Sequence, residues 1–419
     1  MKFDLIIVGG GTSGVACAYI AAKKGLHTLL VEKTDVLGGA ITQGLVVPSM
    51  KVDTNGVNCE FFTDLKAFAA KYNANYTYID SNDAWFNPEL LKIVLDDMLS
   101  SVNCNILYST QVQNITKESS YNVTLLHKML SIYVESDYIV DATSNAEIFK
   151  ILKLDLQNET ENQQAATLRF ILTNIDLKVF SKWITELDKD TNVTTVDNTG
   201  DEIHLSTAYT WDENRKWALE PIFKEAVMNG DLTFNDTAYF QVFTIKSMPN
   251  SLAFNCPRII LENYENLLDP FIYSRALKQG RERIYRIYNF CKKYFPGFEN
   301  CFISHISDTL GVRESYRIKG KYTLKKEDII TNKQFDNIAF TCNYPIDIHS
   351  SSKTNDKLEY TNHTYSIPIE TLIAEKDENV YAIGRIISAD FEAQAAVRTQ
   401  LSCFSMGEAA AKDIAKKFN

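Results

Sequence analysis

Phe3-Asp4-Leu5-Ile6-Ile7-Val8, then Gly9-Gly10-Gly11-Thr12-Ser13-Gly14, then Val15-Ala16-Cys17-Ala18-Tyr19-Ile20-Ala21-Ala22, then Leu29-Leu30-Val31-Glu32: this opening stretch decides the fold. It reads as a strand, a glycine turn, a helix, a second strand and an acid, the order of a dinucleotide-binding unit. Gly9 permits the tight turn, Gly11 lets backbone amides approach a pyrophosphate, and Gly14 lets the helix lie close on the strand. The helix N-terminus turns its partial positive charge toward the phosphates. Glu32 stands 18 residues beyond Gly14, at the tip of the second strand, where its carboxylate accepts from adenosine ribose hydroxyls. The same charge repels a 2′-phosphate and disfavours NADP. A glycine turn alone is a weak signal, and the strand before it, the helix after it and the acid at its distance make this one specific.

At 419 residues the chain is long enough for two or three domains. A composition 45% hydrophobic and 23% charged is that of a globular protein rather than a disordered or fibrous one. The net charge of -10 excludes the broad basic surface of a nucleic-acid binder, so an anionic partner would have to be met by local arginines. The first predicted strand begins at Phe3, leaving no room for a secretory leader, and no apolar run approaches a membrane span. A cytoplasmic protein with neither membrane nor nucleic-acid partners is expected. The eight cysteines contain no C-x-x-C pair, which argues against a redox dithiol or a zinc site and for buried, reduced thiols. The Asn-x-Thr triplets at Asn114 and Asn192 read as composition rather than glycosylation.

Farther along, Leu37-Gly38-Gly39-Ala40-Ile41-Thr42-Gln43-Gly44 offers a second close backbone approach, with Thr42 and Gln43 as hydrogen-bonding side chains. Apolar spacing predicts a helix over 59–72 and another opened by Asn87-Pro88-Glu89. Period-two runs at 105–115, 121–126 and 130–135 predict an antiparallel meander. It leads into Tyr138-Ile139-Val140-Asp141-Ala142-Thr143, a buried strand delivering an acid and a hydroxyl where ligands of open α/β sheets gather. From about 155 to 365 the character changes, with more alternation and aromatics and polar interruptions at 186–202 and 349–361. Thr167–Leu172 and Tyr239–Thr244 read as strands of a separate, substrate-facing domain. A long helix over about 270–294 is stopped by Pro296-Gly297, and its Lys278, Arg281, Arg283 and Arg286 read as a solvated face. The last fifty residues return to the style of the first: Val380-Tyr381-Ala382-Ile383-Gly384-Arg385 is a buried strand ending in glycine and a charge. Gly407-Glu408-Ala409-Ala410-Ala411 reads as a small-residue helix start.

These residues together resemble the FAD-dependent oxidoreductases with a glutathione-reductase-type flavin domain. The resemblance rests on the Gly9–Gly14 turn with Glu32, the 37–42 loop, Asp141-Ala142-Thr143, Phe254-Asn255-Cys256-Pro257-Arg258, the run from Gly311 to Gly320, Tyr365-Ser366-Ile367-Pro368, and Gly384-Arg385-Ile386-Ile387-Ser388-Ala389-Asp390 followed by Arg398 and Gly407-Glu408-Ala409-Ala410. It implies an α/β fold: a Rossmann-like FAD-binding domain of parallel sheet plus β-meander, discontinuous over 1–154 and 365–419, and an inserted α+β substrate or cap domain over 155–364, with 310–320 returning to the flavin. FAD is the cofactor it implies. Gly9, Gly11, Thr12, Ser13 and Gly14 would hold the pyrophosphate, and Glu32 with Lys33 the adenosine ribose. Gly38, Gly39, Ala40 and Thr42 would run along the ribityl and flavin, Val112 would meet the adenine, and Asp141, Ala142 and Thr143 would lie alongside. Gly384, Arg385, Asp390 and Arg398 would approach the pyrophosphate and ribityl, and the amides of Gly407, Ala409 and Ala410 the flavin pyrimidine edge. The chain departs from the family at Ser144-Asn145-Ala146, where glycines are frequent, at Glu408, where glutamine is usual, and at Ala411, where glycine is usual.

For chemistry, Arg313, Arg317 and Arg258 are the candidates, arginines able to clamp a carboxylate and polarise developing charge. Arg313 reads equally as an internal partner of Glu314. His305, His349 and His363 fall in the substrate half as acid or base candidates, and no spacing suggests a metal. The expected activity is hydride transfer to or from a small-molecule substrate at an interdomain pocket. There is no second GxGxxG, so electrons are expected to pass to the substrate or to a diffusible or protein redox partner. A flavin-dependent monooxygenase or halogenase is the alternative enzyme, and a flavin-fold binding module without redox chemistry the alternative class.

Overall fold

The computed structural model describes residues 1–53, 56–157, 164–211, 215–261, 266–349 and 356–418. The first strand, Lys2–Val8, buries Phe3, Leu5, Ile6, Ile7 and Val8 because both of its faces are covered. Leu5 and Ile7 face one core and Ile6 and Val8 another, as period-two geometry requires. The strand lies between Thr28–Val31 and Leu130–Asp141, parallel to both. Asn105–Leu107 extends the parallel edge, and Val380–Ala382 adds in parallel to the far end of Leu130–Asp141. Both ends of the chain therefore build one sheet. Val8, Val31, Asp141 and Ala382 all finish on the same edge, which is where the chain's ligand-binding motifs are delivered.

The hairpin strands Thr110–Lys117 and Tyr121–His127 join the near half of Leu130–Asp141 as the antiparallel meander. The run expected over 105–115 divides in two. Ser109 takes a left-handed φ of 47°, and the amides of Ser109 and Thr110 donate to Thr34 O and Glu32 O. Asn105–Leu107 is thereby held parallel to Thr28–Val31, and only the remainder joins the meander.

The first helix, Thr12–Lys23, is buried from Thr12 to Ala21 because the last helix, Gln400–Ala415, covers the face the sheet leaves open. That contact needs a residue without a side chain: a Cβ on Gly407 would overlap Ser13 O. Each large apolar side chain the last helix buries, such as Phe404, Met406 and Ile414, contributes roughly 1.5–3 kcal/mol.

A second sheet is wholly antiparallel, in the order Thr195–Asp197, His204–Thr210, Tyr239–Thr244, Ser251–Phe254, Phe170–Thr173, Phe302–Ile306. It packs on the long helix Pro270–Tyr294 around Phe170, Phe240, Phe254, Ile284, Ile287 and Phe290. The helix starts where Asp269 accepts from the amides of Phe271 and Ile272, with Pro270 at its first position. Its basic residues are not all solvated: Arg283 Nη1 donates to Arg258 O at 2.6 Å, and Arg286 makes a two-point contact with Asp236 at 2.8 and 3.0 Å. The reason is Asp236 itself, whose side chain is fully buried and requires cations beside it.

The core of the first sheet extends into the stretch expected as the cap, through Leu324, Ile329, Phe340, Cys342 and Ile346. Between the sheets, Gly311 exchanges backbone hydrogen bonds with Thr167, and the amide of Ile318 donates to Ile386 O. The polar interruption at 349–361 falls partly, at 350–355, outside the described residues. No helix among the described residues is long and apolar enough to cross a membrane.

Candidate functional site

The glycine turn is held from two sides. Glu32, 8% exposed, accepts from the amide of Gly10 at 2.7 Å through one carboxylate oxygen and from the amide and hydroxyl of Thr34 at 2.8 Å through the other. The amide of Gly38 donates to Gly10 O at 2.8 Å, and Gly39 lies directly beside Gly11. Thr42 Oγ1 donates to Leu37 O and keeps this loop folded down, while Ala40 is exposed. A Cβ on Gly14 would overlap Gly9 O, and one on Gly9 would crowd Ala142 O. Gly11 is the exception: a Cβ there would meet nothing within 4 Å. It caps the first helix without any side-chain hydrogen bond, so the first amides of that helix have no side-chain acceptor among the described residues, and the space lies beside them at Gly11.

A second uncapped helix N-terminus meets it. The last helix begins at Gln400 after Thr399, again with no side-chain cap, and Thr12 Oγ1 donates to Gln400 Oε1 at 2.6 Å. Two sets of unsatisfied amides, both carrying partial positive charge, thus converge beside Gly11. This corrects one expectation. Gly407, Ala409 and Ala410 do not start a helix; they lie two turns inside one, with their amides engaged along it, and Gly407 serves the contact with Ser13. Gln400 and Leu401 stand at the true start.

Several expected contacts place their side chains elsewhere. Asp141 is fully buried and accepts from the amide and hydroxyl of Thr143 and the amides of Ile148 and Phe149, while burial pushes its carboxyl up to about 6. Asp390 caps the helix Phe391–Val397 through the amide of Ala393 and takes the amide of Lys326 on its other oxygen. Lys33 is exposed and pairs with Glu147 at 3.6 Å. Val112 lies half-buried in the meander opposite Leu125. Gly384 sits against Ser13 Oγ, and Arg385 beside it donates to Ser144 O, Val312 O and Asn145 Oδ1. Arg385 is deeply enclosed, and burial holds its guanidinium down to about 10.

Two of the three departures from the family acquire a structural account. Ser144 and Ala146 adopt φ of 68° and 54°, the left-handed backbone that glycine tolerates best. Ser144→Gly is therefore expected to stabilise the protein by about 1 kcal/mol, seen as a higher urea midpoint with unchanged slope. Glu408 is fully buried and caps another helix: it accepts from the amides of Glu60 and Phe61 at 3.2 and 2.8 Å, and from Lys412 at 2.7 Å. Glu408→Ala leaves two amides without their acceptor and Lys412 with Glu60 as its remaining carboxylate, and is expected to cost roughly 2–4 kcal/mol by denaturant titration, with Glu408→Gln recovering part.

Next to the two helix starts lies a group of arginines. Gln394 Nε2 donates to Arg313 O and Arg385 O, which ties the two regions together. Arg313 Nη1 donates to Ala165 O and to Thr167 Oγ1. Arg258 lies 4.7 Å from the centre of the Tyr239 ring, donates to His349 Nδ1 at 2.9 Å and pairs with Asp356 at 2.6 Å. Arg398 donates to Gln164 Oε1 at 3.1 Å and Asp347 O at 2.9 Å. Arg169 stands near enough to affect Arg313 and Tyr239 electrostatically. Asp347, beside His349, Arg398 and Arg313, is held far below the usual carboxylate range.

Burial and the cation Arg313 push His349 down to about 3, so it is neutral: Nε2–H faces Asp347 at 3.1 Å and Nδ1 accepts from Arg258. Arg317 is buried apart from Arg313, at the Gln157 turn and near Glu314, so these two do not form a clamp. Glu314 does not pair with Arg313. Its Oε1 accepts from the amide of Gln164, and Oε2 is buried with no hydrogen-bond partner among the described residues. Burial outweighs Arg317, Arg398 and Arg385 and pushes its carboxyl up to about 7. His305 lies instead beside Glu89, and His363 at Ile329 O. Sequence reasoning missed Arg169, Tyr239, Asp347 and the buried, raised carboxyl of Glu314. Only the Arg-Glu-Ser-Tyr-Arg run at 313–317 hinted at the last. No metal-binding grouping of His, Cys, Asp and Glu occurs among the described residues.

The profile of the family described as FAD dependent oxidoreductase matches residues 4–415. Over 66 residues, 15% of the chain, the sequence is 41% identical to a ferredoxin–NADP reductase of Mycoplasmoides gallisepticum, 20% of whose length is covered. Over 161 residues, 35% of the chain, it is 27% identical to a thiamine thiazole synthase of Metallosphaera sedula, covering 56% of that protein. The chain thus spans less than two thirds of the length of either relative. Among solved structures, the flavin-dependent halogenase CmlS superposes with a TM-score of 0.50 at 12% identity, over 99% of this chain and 58% of that one, a likeness of fold.

Proposed function

Because the chain belongs to the FAD-dependent oxidoreductase family, we propose that it transfers a hydride between non-covalently bound FAD and a small organic substrate held in the arginine-lined cleft. The observation that carries this reading is the meeting of two uncapped helix starts at Thr12 and Gln400, with open space at Gly11 and the arginines directly adjoining. That cradle suits a dinucleotide: an anion for the amides and a ribose for Glu32.

In this reading the amides of Gly11 to Gly14 bind the pyrophosphate and Glu32 the ribose. Residues 38–44 and Gly384-Arg385 run along the ribityl chain, and the amides of Gln400 and Leu401 meet the pyrimidine edge. FAD supplies the hydride-transferring ring. Arg313, Arg258 and Arg398 orient the substrate and stabilise charge developing on it. Glu314 Oε2 holds the proton that complements hydride transfer, and its elevated carboxyl is suited to doing so near neutral pH. His349, neutral between Arg258 and Asp347, fixes Arg258 rather than moving a proton. Arg283 holds the same arginine from behind through its carbonyl.

The test is the visible spectrum of the purified protein. The expected flavin bands are bleached by dithionite and restored by a two-electron oxidant. Bound flavin that dithionite cannot bleach would leave a binding module instead of an enzyme.

A further inference from the structure

Four arginines, Arg169, Arg258, Arg313 and Arg398, surround Tyr239 and the Asp347–His349 pair, and their side chains come from four separate parts of the chain. Arg169 precedes the strand Phe170–Thr173 and Arg258 opens Arg258–Ile259, which pairs with Ala166–Thr167. Arg313 reaches Thr167, and Arg398 immediately precedes the capping residue of the last helix.

Two carboxylates answer them among the described residues: Asp356 on Arg258, and Asp347 at 3.9 Å from Arg398. Among the described residues neither Arg169 nor Arg313 has an ion pair, and the Arg169 guanidinium makes no hydrogen bond, while its carbonyl accepts from the Ser307 amide at 2.9 Å. Arg258 is 6% exposed, and its Nε, like Arg398 Nε, Gln164 Nε2 and Glu314 Oε2, is buried with no hydrogen-bond partner among the described residues. Arg169, Arg313 and Arg398 are largely enclosed by protein yet each keeps some solvent-reachable surface. Enclosing like charges without counter-charge costs several kcal/mol per ion, so the arrangement is one that an incoming anion completes.

We propose that the arginine group takes a doubly charged anionic substrate, a small dicarboxylate, with the Arg169 guanidinium as a substrate-binding group. Among the described residues the four guanidinium groups face two carboxylates, and Glu314 near Arg398 adds no charge when protonated, an excess of two positive charges for the ligand. A planar carboxylate matches the guanidinium fork at two points. Identifying the anion as the substrate rests on the flavin reading; the anion site itself rests on the arginines.

The experiment uses the purified full chain, with FAD content recorded by absorbance, and titrates succinate, its neutral isostere succinamide, and inorganic phosphate by calorimetry and thermal shift. Succinate is expected to bind, more weakly as salt rises, and to raise the melting temperature. Succinamide is expected to do neither, and phosphate to bind at least ten-fold more weakly than succinate. Arg169→Gln should weaken succinate at least ten-fold while keeping FAD content and an anion-free melting temperature equal to or above wild type, because it removes a repulsion. Arg169→Lys should restore part of the binding. Equal binding of succinamide, phosphate binding tighter than succinate, undiminished succinate binding by Arg169→Gln, or loss of FAD in that variant would each overturn the proposal. A wild-type protein that holds no FAD would overturn the flavin reading, and the succinate titration of that protein would still decide the anion site.

Discussion

Replacing Gly11 with valine is expected to abolish FAD retention while moving the thermal midpoint of the FAD-free protein by no more than about 1–2 °C, the range of an ordinary surface substitution. Gly11 has φ of -72° and ψ of -171°, backbone that valine adopts without strain, and its Cβ would meet no atom of the protein. The isopropyl group would instead fill the space in front of the first-helix amides. Loss of the pyrophosphate contacts there should weaken FAD by 100-fold or more, about 2.7 kcal/mol. Gly14→Ala provides the contrast: its methyl group would overlap Gly9 O, so the fold itself should be damaged. FAD content unchanged in Gly11→Val would mean that the phosphates lie elsewhere.

Glu314→Gln is expected to lower turnover by roughly 10²–10³-fold, the range for loss of a general acid or base, and to remove the limb of the pH–rate profile near pH 7. It also has a signature in stability. The carboxyl rises from an ordinary 4.5 to about 7 in the fold, so its favourable contribution is complete below pH 4.5 and is lost as pH climbs through 7. Above that, an ionised carboxylate is held in a poorly solvated place at a cost on the order of 3 kcal/mol. Glutamine keeps the acceptor for the Gln164 amide and cannot ionise. The variant should match wild type near pH 5 and exceed it in denaturant resistance at pH 8. A difference that does not vary with pH would remove Glu314 from the proton-transfer role.

The parts of this protein legible in its sequence are those governed by short-range rules. The buried strand before Gly9, the Asn87-Pro88 helix start and the long helix from Pro270 follow from apolar periodicity and capping chemistry within a few residues. The contribution of both chain ends to one sheet was signalled by the similar style of 3–32 and 379–410, and the pairing of Val380–Ala382 with Leu130–Asp141 realises it.

What local rules could not reveal depends on contacts between distant segments. The small residues of the last helix point to a start at Gly407; the helix starts at Gln400, after Thr399, where the first helix meets it. Arg283 and Arg286 look like solvated cations until Asp236 is found buried fifty residues away. Glu408 looks like a charge near a flavin until it is seen capping Glu60–Lys71. The arginine cluster is the extreme case, since Arg169, Arg258, Arg313 and Arg398 share no spacing and only the meeting of four segments makes them a group. The elevated carboxyl of Glu314 is likewise a property of its burial.

The central claim is that the converging starts of the first and last helices, with Glu32, form a site for the whole dinucleotide. It is tested most directly by calorimetric titration of the flavin-free protein with FAD and with FMN. One equivalent of FAD should bind at least 100-fold more tightly than FMN, which lacks the adenosine half that Glu32 and the glycine turn would hold. Equal affinity for the two, or binding of neither, would contradict the account.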